Sequence, residues 1–327
     1  MNRDFFLMSS GRMMRKDNTI YIEKESGEKK SIPIENVESL HLYGEVDFNT
    51  RAIDYIAKSG VLIHFYNYYG FYNGSFYPRK KNVSGFLVVK QAMKYNVFSD
   101  RLYLAKCFVD SATHHIVRNM RNYGSKMGDY ITKILVEREK VDSCKSIEEV
   151  MGCEGRIHKY YYSSFNEFLK EEFYFEKREK RPPKDPINAL ISFSNSLIYT
   201  TTLSEIYKTG LDPTISFLHE PSTKRFSLSL DIAEIFKPLI GDSVIFKLIN
   251  KRILNIDDFD VYEGICRLNE DGRRKFLSEF NEKLETTIKH RTLNRKVSYR
   301  SLIGIECYKI IKHCIDDEIY KPLKAWW

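Results

Sequence analysis

Residues able to do chemistry gather in one stretch, 215–238, which reads ISFLHEPSTKRFSLSLDIAEIFKP. An apolar run (Ile215, Phe217, Leu218) delivers His219, and a short polar loop with Lys224 and Arg225 follows. An apolar segment then carries Asp231 and Glu234, whose spacing of three puts both carboxylates on one face of a helix. A histidine and two acids in apolar sequence, with cations between them, point to a divalent metal beside phosphate. A third acid lies upstream. The helix expected over 146–170 opens with a capping-box pair, Ser146 and Glu149. Its apolar stripe, Ile147, Met151, Tyr161, Phe165 and Phe168, passes through positions 154 and 158. Glu154 therefore falls on the face expected to be buried, where an unpaired carboxylate is costly. Its partner is a metal, or Arg156 or Arg225, unless the stripe is rotated enough to expose it. Gly155 beside it is expected to let another backbone approach closely.

Glu154, His219 and Glu234, with Asp231 adjacent, make a mixed oxygen and nitrogen donor set. Such a set suits Mg2+ or Mn2+ and leaves coordination positions open for water and phosphate oxygens. A metal there would polarise a phosphodiester and lower the pKa of an attacking hydroxyl. Lys224, Arg225 and Lys237 are placed to hold a DNA backbone. Pro238, four residues after Glu234, cannot donate to its carbonyl, so the helix is expected to kink or end there. Other catalytic patterns are missing: the sequence has no GxxxxGK[ST], GxGxxG after a strand, GxSxG or HExxH. His114, His115 and His158 are read as core or surface, without acidic neighbours at ligand spacing. The Cys307, His313, Cys314 group is too poorly spaced for a zinc site.

The elements that position these residues divide the chain. Residues 1–77 read as a β-rich domain. Strand-like runs at 19–23, 31–34, 37–42, 61–66 and 71–76 are separated by turn signals, with one short helix at 50–59. Residues 78–85, containing Pro78-Arg79-Lys80-Lys81, form a linker. Residues 86–327 are mostly α-helical, and the overall class is α+β. Phe86, Val89, Met93 and Val97, then Leu104, Phe108, Ala112, Ile116 and Met120, predict two helices broken near 96–100. Residues 188–208 predict another helix, stopped by Gly210. The charged stretch 170–184 is expected as a mobile, solvated loop.

The 327 residues give room for two cores, and 43% hydrophobic with 29% charged residues is the composition of a globular protein. No apolar run approaches the ~20 residues of a membrane span. The N-terminal segment MNRDFFLMSSGRMMRK lacks the features of a secretory signal, so a cytoplasmic protein with no membrane partner is expected. The six cysteines form no CxxC pair and are expected as reduced, mostly buried thiols. A net charge of +8 leans towards a polyanionic partner. Two basic blocks stand out. Arg79, Lys80, Lys81, Lys90, Lys94, Arg101 and Lys106 face only Asp100 in their region, and residues 273–300 hold nine cations against three glutamates.

Four segments taken together carry a resemblance: CEGRIHKYYYSSF around Glu154, DPINALISFSNSLIY at 185–199, GLDPTISFLH at 210–219 and RFSLSLDIAEIFKP at 225–238. Over its whole length the chain resembles the CRISPR-associated protein one family, the metal-dependent DNA integrase and endonuclease of spacer acquisition. The resemblance implies an N-terminal β domain that dimerises and a helical domain holding the metal, Mg2+ or Mn2+. It also implies a homodimer, double-stranded DNA as substrate (spacer precursor and CRISPR repeat), and a small partner, CRISPR-associated protein two, bridging two such dimers. Carried over by position, the metal ligands are Glu154, His219 and Glu234, with Asp231 an additional acidic residue of the catalytic group. Glu234 stands where some members have Asp, and Lys237 where the family has arginine, so a bidentate phosphate grip becomes a point charge. The expected function is insertion of short duplexes into the CRISPR array by 3′-hydroxyl transesterification. The alternatives are a structure-selective endonuclease acting by hydrolysis, and a non-catalytic nucleic-acid scaffold whose acids are structural.

Overall fold

Alternating apolar residues and glycine-marked turns build the N-terminal strands. The computed structural model describes residues 3–24, 26–67, 69–79, 82–179, 182–221 and 226–327. It divides into two units, Met1–Lys81 and Asn82–Trp327. The first contains β1 (Arg3–Leu7), β2 (Gly11–Lys16), β3 (Thr19–Glu23), β4 (Lys29–Ile32), β5 (Val37–Leu42), β6 (Val46–Phe48), α1 (Thr50–Lys58), β7 (Leu62–Tyr66) and β8 (Tyr72–Phe76). One sheet has the order β1-β5-β7-β8, parallel except for β8, and the other runs β4-β3-β2-β6. Met13, Ile20, Ile22, Ile32, Leu40, Leu42, Ile56 and Ile63 form their shared core. Asn49 caps α1, its side chain accepting from the Ala52 amide at 2.9 Å.

The second unit is mostly helical: α2 (Gly85–Asn96), α3 (Phe98–Arg121), α4 (Gly128–Ser143), α5 (Ile147–Ser163), α6 (Pro186–Tyr207), α7 (Ser227–Phe236), α8 (Ser243–Asn250), α9 (Glu270–Glu285) and α10 (Tyr299–Cys314). Two short hairpins interrupt it, β9 (Phe259–Tyr262) with β10 (Ile265–Leu268), and β11 (Thr287–Lys289) with β12 (Lys296–Ser298). Asp185 caps α6 and Pro186 occupies its first turn. That helix is buried along its length, from Ile187 to Ile206, which makes it the axis of the unit. It packs on α7 and α10, while α3 packs on α4, α5 and α7.

Two readings of the helical region need correction. The break between α2 and α3 falls at Val97, as the pattern predicts, but the apolar stripe of α2 points outward. Phe86, Val89, Met93 and Val97 are all exposed, whereas Leu104, Phe108, Ala112, Ile116 and Met120 of α3 are buried. The described residues of 170–184 are anchored to the core and do not form a freely solvated loop. Phe173 and Phe175 are buried, Asn166 brackets Phe175 with two hydrogen bonds, and Arg178 donates to Asn188 and Ser192. At Pro238 the expected end of the α-helix is met, since α7 stops at Phe236. Residues Lys237–Asp242 form a π turn that carries α7 into α8, the widened backbone absorbing the missing proline N–H.

Candidate metal centre

Asp231, on α7, is fully buried and organises the loop that precedes it. Its Oδ2 accepts from the amides of Phe217 (2.6 Å) and Leu218 (2.9 Å). Its Oδ1 accepts from the His219 amide (2.9 Å) and from His219 Nδ1 (2.8 Å). A carboxylate only accepts, so Nδ1 carries the proton and Nε2 is the nitrogen left to meet a ligand. The loop is also held by α2 and α3. Gln91 donates to the carbonyls of Asp212 (3.0 Å) and Ile215 (2.8 Å). Arg101 donates to the Phe217 carbonyl (3.0 Å) and to Glu220 (2.6 Å), which also accepts from Tyr95 at 2.8 Å.

Glu234 lies one turn further along α7 and is 4% exposed. Its Oε1 pairs with Lys237, but its Oε2 is buried and accepts no hydrogen bond. Facing it from α5 are Glu154 and His158. His158 Nε2 stands 3.2 Å from Glu154 Oε1 and 3.7 Å from Glu234 Oε2. One donor atom from each of Glu154, His158 and Glu234 lies within 4.8 Å of the other two. The donors are nitrogen and oxygen, and an orphaned buried carboxylate oxygen faces the group, so these residues fit a divalent cation.

The charges are interdependent. Burial alone would raise the Glu234 carboxyl, but Lys237, His158 and His219 hold it well below the usual carboxylate range. Burial works against a charged His158, yet Glu154 and Glu234 outweigh it and raise its pKa. His219 is also raised: burial opposes the charge, and the bond to Asp231 and the nearby carboxylates prevail. Behind them Asp242 accepts from the Tyr161 hydroxyl at 3.0 Å, and burial pushes its carboxyl up to about 6.

Glu154 lies in this cluster, but not by the burial expected from the sequence. The buried face of α5 is Ile147, Val150, Cys153, Ile157 and Tyr161. The stripe is thus rotated from the expected one, Met151 is exposed and Glu154 lies half-buried at its edge. Arg156 is not its partner, since it binds Glu137 at 2.7 Å. A Cβ on Gly155 would stand in open space, so no backbone approaches there. His158 was missed as a site residue. It does have an acidic neighbour at ligand spacing, Glu154, one turn before it. Asp231 and Glu234 share a helix but face different tasks, the first tied to the His219 loop and the second to the open cluster.

Of the expected phosphate-holding cations, Lys224 and Arg225 lie outside the described residues, and Lys237 is engaged by Glu234. In the first basic block Lys80 and Lys81 lie outside the described residues, and three of the other five cations are paired: Lys90 and Lys94 reach Asp316, Lys94 also binds Asp100, and Arg101 binds Glu220. In the second block Arg274 pairs with Glu270 and Lys275 with Asp258. Lys289, Arg291, Arg295 and Lys296, on the β11–β12 hairpin, are exposed.

Known proteins share this arrangement of strands and helices. A family model described as CRISPR associated protein Cas1 matches residues 5–282. The CRISPR-associated endonuclease Cas1 of Clostridium perfringens is 61% identical over 330 residues, covering 100% of both chains. A CAS1 protein from Thermotoga maritima superposes with a TM-score of 0.86 at 39% identity, over 97% of this chain and 98% of that one. A casposase bound to integration product shares the fold at 20% identity, with a TM-score of 0.86, over 99% of this chain and 94% of that one. With a family match over most of its length and a relative so similar from end to end, the chain belongs to the Cas1 family of CRISPR-associated proteins.

Proposed function

We propose that this chain is a divalent-metal-dependent DNA integrase. The 3′-hydroxyl of a short duplex attacks a phosphodiester at a CRISPR repeat boundary, one P–O bond forming as another breaks, with the released 3′-oxygen as leaving group. The observation that carries the reading is the buried Oε2 of Glu234, which accepts no hydrogen bond and belongs to a residue whose donor atoms cluster with those of Glu154 and His158. Glu154, His219 and Glu234 would hold Mg2+ or Mn2+. Bound there, the ion supplies Lewis acidity towards a phosphate oxygen and acidifies the attacking hydroxyl. The protein's own part is positioning. Asp231 fixes the 217–219 backbone and the His219 tautomer, so that Nε2 is presented as a neutral donor. Lys237 offsets the charge of Glu234 and offers an ammonium to a phosphate. The exposed cations of the β11–β12 hairpin suit a DNA backbone. A homodimer, double-stranded DNA and the small CRISPR-associated protein two are the partners that complete this reading. The fold of the casposase, solved with an integration product, is consistent with it.

Hydrolysis is the second reading, favoured by the name of the 61% identical Clostridium perfringens relative, an endonuclease. The same donors would serve with water as nucleophile. A strand-transfer assay with a labelled 3′-hydroxyl duplex and a plasmid separates the two. Joined products that disappear in His219→Ala, with duplex binding retained, are expected. Cleavage without joining would select hydrolysis, and equal joining by the His219→Ala variant in Mg2+ or Mn2+ would overturn the site.

A further inference from the structure

Ligands about 2.1–2.2 Å from a common ion stand about 3 Å apart when adjacent and about 4.4 Å apart when opposite. His158 Nε2 lies 3.2 Å from Glu154 Oε1 and 3.7 Å from Glu234 Oε2, and one donor atom from each of the three residues fits inside 4.8 Å. That is the spacing of ligands round one centre. Ordinary helix-surface Glu–His pairs at this spacing involve one helix and two exposed side chains. Here a second helix supplies Glu234, whose side chain is 5% exposed, while that of His158 is 16% exposed. The Glu234 Oε2 that faces His158 accepts no hydrogen bond. The geometry therefore suits a cation that meets a nitrogen and two carboxylates at once, in place of a proton on His158.

We propose that His158 is itself a ligand of the catalytic ion, so that two imidazoles (His158 and His219) and two carboxylates (Glu154 and Glu234) share it. The inference rests on the metal-site reading above and deepens it by fixing the metal class. Mg2+ prefers oxygen donors and keeps its waters, whereas a second imidazole favours Mn2+ and other first-row ions. His158 also shares α5 with Glu154, so one rigid element delivers two of the four donors.

Two measurements on the full-length protein test this. Nitrogen couplings to bound Mn2+, read by pulsed electron paramagnetic resonance, should number two in the wild type and one in either His158→Ala or His219→Ala. Calorimetric titration should show Mn2+ bound about 10–100-fold more weakly by His158→Ala, with Mg2+ affinity changed less than about threefold. One nitrogen in the wild type, or unchanged Mn2+ affinity in His158→Ala, overturns the inference and leaves the Glu154, His219, Glu234 site standing. Mn2+ binding indifferent to Glu234→Gln overturns the site itself, and this inference with it. Should His158→Ala fail to fold, the coupling count in wild-type protein labelled with 15N-histidine decides alone.

Discussion

At the scale of single residues, the centre depends on one carboxylate that need not touch the reaction. Asp231 accepts four hydrogen bonds from a single loop. Asn in its place keeps the shape but sets an NH2 against amide donors and removes the charge beside His219. Asp231→Asn should destabilise the helical unit by about 3 kcal/mol, read as a lowered urea midpoint. It should also move the His219 titration, followed by NMR of its ring protons, to lower pH. An unchanged midpoint would remove Asp231 from its organising role. Much of this centre was legible from spacing: His219, Asp231 and Glu234 sit close together in sequence, and Glu154 was conspicuous as an acid in apolar surroundings. The division of labour was not. Whether an acid binds metal or backbone depends on which amides face it, and those of residues 217–219 are placed by tertiary contacts. His158 did leave a signal, the four-residue step from Glu154, which a search for ligands on separate elements passes over.

At the scale of elements, α3 sets the position of α7. His115 Nδ1 donates to the Ile235 carbonyl (2.9 Å), its Nε2 accepts from the Ala325 amide (3.0 Å), and Asn119 donates to the Pro238 carbonyl (2.6 Å). Both His115 nitrogens are thus used by the neutral ring. Burial, only partly opposed by the bond to Ile235, lowers its pKa to about 3. An unfolded chain binds the proton near pH 6.5, so the unfolded state takes up more protons below that value. The stability contributed by neutral His115 is therefore complete above about pH 6.5 and is lost as pH falls towards 3. Between pH 7 and 5 the loss should be about 2 kcal/mol, seen as a falling unfolding midpoint. His115→Gln should be less stable at pH 7 and show a shallower slope; an equal slope would assign the effect to other groups. Element boundaries followed local chemistry where it was strong: β3 and β5 fall where alternation predicts them, and the α2–α3 break falls at Val97. The face of α2 was misread because periodicity reports that a stripe exists, not what covers it. The described part of 170–184 was misread because charge hid the two phenylalanines that anchor it.

At the scale of the whole molecule, every side chain of the proposed centre belongs to Asn82–Trp327, so the metal site is a property of the helical unit. Net charge is a poor guide to where the proposed DNA would lie, since carboxylates from distant sequence pair with Lys90, Lys94 and Arg101 of the first basic block. Duplex affinity, measured by fluorescence anisotropy, should fall at least tenfold between 50 and 200 mM salt. The triple variant Lys289→Gln, Arg295→Gln, Lys296→Gln should reduce the slope of log affinity against log salt by about 2–3. A slope identical to wild type would move the DNA off this hairpin. The π turn at Lys237–Asp242 bears on how such a protein tolerates change. It adds about one residue to the α-helical count, and one residue is about 100° of rotation. It acts as a phase shifter, turning the apolar face of α8 (Val244, Ile245, Leu248, Ile249) into the core without turning Glu234 away from Glu154. Losing one residue between Pro238 and Gly241 would force Pro238 against the Glu234 carbonyl in a regular helix and misalign either the core or the metal centre. Length in this short segment is therefore constrained as well as its side chains, which are buried from Pro238 to Asp242.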